Sequence, residues 1–121
     1  MDKSSTFNQP AKSILSNSNY NFFITSKNIS KFFAVASKRN ISYASYSNYY
    51  EEIKNKANIL FPTAKSLSIL EELIQKYQPK GNQVFDIEIV SIMLDNGIKH
   101  IATFNRKDFS NISEVELLEI L

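Results

Sequence analysis

Cysteine is absent from this chain of 121 residues. Disulfides, thiolate nucleophiles and cysteine-built zinc sites are therefore excluded. Histidine occurs once, as His100, so no histidine-rich metal centre can form. Glycine occurs only at Gly81 and Gly97. Loops that cradle phosphates need several glycines at fixed spacing, which removes the P-loop and dinucleotide-binding fingerprints. No apolar run approaches the roughly 20 residues of a membrane span. The opening stretch MDKSSTFNQP also lacks the apolar core of a secretory signal. The expected location is cytoplasmic, with no membrane partner.

What is present is ordinary for a globular protein: 43% hydrophobic and 21% charged residues. The length predicts a single domain over residues 1–121 with one sizeable core. The net charge of +2 and pI near 8.8 describe a solvated surface with a small lysine excess. They fall short of the dense positive field of a dedicated nucleic-acid binder.

Along the chain, apolar periodicity alternates between strand and helix patterns. Residues 11–16 suggest a short helix, and the aromatic and β-branched run 20–25 a strand. Ser26 suits an N-cap, with Ile29, Phe32, Phe33 and Ala36 at helical spacing over 27–38. A helix over 47–57 turns Tyr49, Tyr50, Ile53 and Ala57 inward, and 58–61 is a short strand before Pro62. Thr63 with Ser66 opens a helix that carries Leu67, Leu70, Leu73, Ile74 and Tyr77 and ends by Pro79 and Gly81. The helix over 83–95 is apolar almost all round, which predicts burial on several sides, and Asn96-Gly97 stops it. A strand over 98–104, a loop over 105–109 and a last strand over 115–120 complete the pattern. Such alternation predicts an α/β fold with a mainly parallel sheet.

Ligands of such sheets bind at the carboxyl ends of the strands. The candidates there are Asp86 and the loop Thr103 to Phe109. Asp86 opens the most apolar helix, where the helix dipole favours a carboxylate by about 0.3–1 kcal/mol. A charge in that setting is costly unless paired or coordinated, so Asp86 is either a stabilising first-turn acid or a metal ligand or base. Glu88 stands about 200° further round the helix and does not share its face. Asn105 and Asp108 either cap a tight turn or offer oxygens to a hard cation. Thr103 is a strand residue that can also hold a carboxylate or water. Arg106 and Lys107 are either solvated or placed to touch phosphates. His100 has no acidic neighbour in sequence and reads as an edge or packing residue. Tyr43, Tyr46, Tyr49 and Tyr50 suit either an interface or the cover of a core edge.

Three elements occur in order: Gly81-Asn82-Gln83-Val84-Phe85-Asp86, then Asn96-Gly97-Ile98, then Thr103-Phe104-Asn105 to Asp108-Phe109. Together with Phe23 to Arg39 they resemble the PIN domain, nearest to the toxin ribonucleases of type II toxin–antitoxin modules. The resemblance covers about residues 11–120. It implies a PIN-like three-layer α/β domain. It also implies Mg²⁺ or Mn²⁺ held by Asp86 and Asp108 with Asn105 in support, and RNA contacted through Thr103, Arg106 and Lys107. Its partners would be RNA, a cognate antitoxin or a second copy in a homodimer.

Two departures accompany the likeness. Family members begin with a strand that ends in an aspartate ligand, whereas this sequence begins, at Met1, where the family's first helix would be under way. The expectation is an N-terminally truncated domain without that strand. Where the family carries a glutamate, this chain carries Lys31, whose ammonium would stand near the cation's place and could pair with Asp86. The functional expectation is a metal-dependent endoribonuclease that is weakened or inactive. The alternative is a non-catalytic PIN-like protein that binds an antitoxin or itself, or a decayed gene product.

Overall fold

The computed structural model describes residues 21–103 and 106–118. The expected helix at 11–16, the expected lack of a first strand, Tyr20 and Asn105 lie outside those residues.

Strand β1 (Phe22–Thr25) runs directly into helix α1 (Ser26–Lys38). The cap is Thr25, one residue before the expected Ser26. Its hydroxyl accepts from the Asn28 N–H at 3.1 Å, and Asn28 Oδ1 accepts from the Thr25 N–H at 3.0 Å. This reciprocal pair satisfies two N–H groups that the first turn would otherwise leave open. Helix α2 (Tyr43–Lys56) begins four residues earlier than its sequence periodicity suggests. Ser42 caps it by accepting from the Ser45 N–H at 3.3 Å, and Tyr46 is held against the rings of Phe32 and Phe33. Ala57, expected as an inward residue of that helix, instead opens strand β2 (Ala57–Leu60). β1 and β2 pair in parallel, from Phe22 opposite Ala57 to Thr25 opposite Leu60.

Helix α3 (Ala64–Tyr77) is opened by Thr63 and Ser66, as their spacing predicts. Ser66 N–H donates to Thr63 Oγ1 at 3.0 Å, and Thr63 N–H donates to Ser66 Oγ at 2.8 Å. It closes on Gln78, whose φ of 48° reaches the left-handed region just before Pro79 ends any continuation. Helix α4 (Gln83–Asp95) buries Asp86, Ile87, Ile89, Val90, Ser91, Ile92 and Met93. Seven of eight consecutive positions cannot lie on one helical face, so α4 is covered from several sides. Gly97, at φ 71°, supplies the left-handed turn after it.

Among the described residues the expected strand over 98–104 is represented by β3 (His100–Ile101), and that over 115–120 by β4 (Glu116–Leu117). They too pair in parallel, with His100 opposite Glu116. The segment expected as a loop at 105–109 contains a single helical turn, α5 (Arg106–Phe109), which drives Phe109 into the core. Among the described residues the strands thus form two separate parallel pairs rather than one continuous sheet.

The core is built on α4. Ile87, Ile89, Val90 and Met93 meet Leu73 of α3, Phe109 of α5, and Ile112 and Val115 before β4. Each such side chain contributes about 1.5–3 kcal/mol when fully removed from water. Among the described residues no helix is long and apolar enough to cross a membrane.

Candidate functional site

Asp86 is placed by two constraints. The apolar neighbours on α4 draw that helix into the core, and Asp86 sits in its first turn, where the unpaired N–H groups favour an anion. The residue retains only 9% of its possible exposure. Burial pushes its carboxyl above the ordinary value, the Lys31 ammonium pulls it back, and the charge of Asp108 pushes it up again. Burial prevails because a desolvated carboxylate loses more hydration than a half-exposed lysine restores. The nearest cation is Lys31 of α1, whose Nζ lies 3.6 Å from Asp86 Oδ1.

A cleft of about 870 Å³ opens beside this pair. Ile24 and Thr25 of β1, Asn28 and Lys31 of α1, Asp86 of α4 and Thr103 after β3 all line it. Asp86, Lys31 and Thr103 therefore line one cleft, and Lys31 and Asp86 meet within it. Asp108, on the exposed side of α5, acts on Asp86 through its charge. Arg106 is tied down, since its Nη1 donates to the Leu118 carbonyl at 3.2 Å. Lys107 is exposed beside it.

Two further pairs had no sequence signal. Glu88, set aside for its helical angle, meets Lys27 Nζ at 3.5 Å. Lys27 and Lys31 stand one turn apart on α1, so each carboxylate of α4 reaches its own lysine. His100, without an acidic neighbour in sequence, meets Glu116 Oε2 at 3.0 Å across the β3–β4 ladder. Only strand register could have revealed that contact. The tyrosines resolve differently from one another. Tyr46, Tyr49 and Tyr50 pack on Phe32 and Phe33 with centroids 5.0–6.3 Å apart, while Tyr43 remains 72% exposed.

With this geometry in view, the chain was compared with known proteins. Its fold is similar to that of a chain in VapBC-1 from nontypeable Haemophilus influenzae. The TM-score is 0.69 over 91% of this chain and 83% of the other, at 17% sequence identity. At that identity the likeness concerns the fold alone. No protein-family model matches the chain, and no curated protein matches it.

A divalent cation can be tested against these residues. Mg²⁺ takes oxygen donors in a near-octahedral shell, usually one or two carboxylates plus water and phosphate. Among the described residues no group of three or more acidic or histidine side chains gathers to hold a metal, and no buried side-chain polar atom is left without a partner. The group that Asp86 does meet is itself a cation. Two unit charges 4 Å apart interact by about 4 kcal/mol at an effective dielectric of 20, so a divalent ion would meet roughly twice that in repulsion, less whatever solvent screens at the exposed ammonium. Among the described residues the donor set does not fit a resident divalent ion.

Proposed function

We propose that this chain is a PIN-like protein of the toxin–antitoxin type in which ribonuclease chemistry is lost, and which acts by binding a protein partner, an antitoxin being the first candidate. The observation that carries this reading is the Lys31–Asp86 pair. What supports reading Asp86 as a former hydrolytic carboxylate is its place at the start of a buried helix and on the wall of a cleft. A hydrolase of this kind would use a metal to activate water and to neutralise the phosphate. Here a side-chain ammonium neutralises the carboxylate instead, and it supplies no coordinated water. The fold likeness to a VapBC-1 chain supports the general type.

The test is cleavage of a mixed RNA substrate with Mn²⁺ and with Mg²⁺, beside an Asp86→Asn control. The expected result is no cleavage that EDTA or the substitution removes. EDTA-sensitive cleavage that disappears in Asp86→Asn would overturn the reading and make the chain an active ribonuclease. Asp108 would then be the second acid, and Lys107 would serve as a phosphate contact.

A further inference from the structure

Asp86 and Lys31 are unequal partners. The Asp86 side chain is 12% exposed and that of Lys31 57%. The carboxylate is fixed in the protein wall, and the ammonium reaches in to it from the solvent side on a flexible stem. A carboxylate this buried requires a positive partner. Asp108 adds a second negative charge that Asp86 feels. Lys27, one turn away, is engaged by Glu88 at 3.5 Å and leaves Lys31 as the cation on Asp86.

We infer that the Lys31 ammonium is the resident cation of the Asp86 site, and that removing its charge turns the same place into a divalent-ion site. This rests on the functional reading above, since it takes Asp86 and Asp108 as the acids of a former hydrolytic centre. A glutamate at position 31 would extend from the same helix turn toward Asp86. It would replace the blocking charge with a second carboxylate beside Asp86, and two carboxylates completed by water are a donor set that Mn²⁺ and Mg²⁺ accept. Lys31 is surface-exposed, so the exchange leaves the core intact.

The experiment is a titration of the intact chain with Mn²⁺, read by the electron paramagnetic resonance of the free ion, with circular dichroism as the check on folding. The wild type is expected to show no saturable site. Lys31→Glu is expected to acquire one of at least about tenfold higher affinity, as the charge change at that distance requires. Adding Asp86→Asn to Lys31→Glu should remove it again. If Lys31→Glu does not fold, Lys31→Met takes its place, since it keeps the stem and removes the charge, and a smaller gain is expected. Wild-type binding as tight as that of Lys31→Glu would overturn the inference. So would a folded variant that gains no site. RNA is not present in the titration, so an error in the functional reading cannot imitate either result.

Discussion

The two halves of the molecule are held together by different means. From β1 to β2, Thr25 and Ala36 are the only fully buried residues described, and the packing consists of rings that are half in water: Phe32, Phe33, Tyr46, Tyr49 and Tyr50. From α3 to β4, aliphatic side chains of α4 are enclosed to the point where Val90 and Ile92 expose nothing. Aromatic pairs contribute about 0.5–1.5 kcal/mol beyond their area and tolerate a wet edge. A close-packed aliphatic interior does not tolerate a lost methylene. The candidate site lies on the seam, with Lys31 from the aromatic half and Asp86 from the aliphatic half. Its geometry is therefore only as firm as the contact between the halves.

That contrast can be broken most forcefully at Ile92. Ile92→Ala removes a fully enclosed side chain, and the expected loss is about 3–4 kcal/mol by urea unfolding, in the range for buried aliphatics whose cavity cannot collapse. Phe33→Ala is expected to lose less, about 1–2 kcal/mol, although it deletes a larger side chain, because Phe33 is only half buried. Equal losses at the two positions would mean that the aromatic half is as closely packed as the other, and the contrast would fail.

The third and smallest effect concerns a polar clamp on the aliphatic side. Tyr77 Oη donates to Glu114, and Lys76 Nζ reaches the same carboxylate at 2.7 Å. Burial alone would raise the Glu114 carboxyl, but the Lys76 ammonium and the Tyr77 hydroxyl hold it below its ordinary value of 4.5. A carboxyl lowered in the folded state stabilises above its unfolded value and loses that contribution as the pH falls through the folded one. Tyr77→Phe is therefore expected to lose about 1 kcal/mol at neutral pH. The difference from wild type should shrink as the pH falls below 4.5, which unfolding at a series of pH values would show. A difference that does not change with pH would assign the loss to the Ser113 N–H, which donates to Tyr77 Oη at 3.0 Å, rather than to the clamp.

How far the sequence could be read follows the same division. The α3 start was legible because Thr63 and Ser66 cap locally, and α4 because its apolar positions exceed any single face. The start of α2 was missed although Ser42 caps it locally, because residues 40–47 carry no clean apolar period; the contacts of Tyr46 with Phe32 and Phe33, on another helix, show which way that turn faces. The strand lengths at β3 and β4 depend on the partner strand, which periodicity cannot supply. Asp86 stood out because charge beside so many apolar residues needs a reason. Lys31 was visible as a residue out of place, while Lys27–Glu88 was not, because it depends on how α1 crosses α4. The helical angle correctly kept Asp86 and Glu88 apart on α4, yet gave no hint that one neighbouring helix could reach both.

The enclosure of α4 has a further consequence during synthesis. Its cover includes Phe109, Ile112 and Val115, which are translated after it. Until they emerge, the nascent chain carries a helix with almost no polar side to turn toward water. That interval is the one in which a chaperone, or another chain still being made, would find its most adhesive surface.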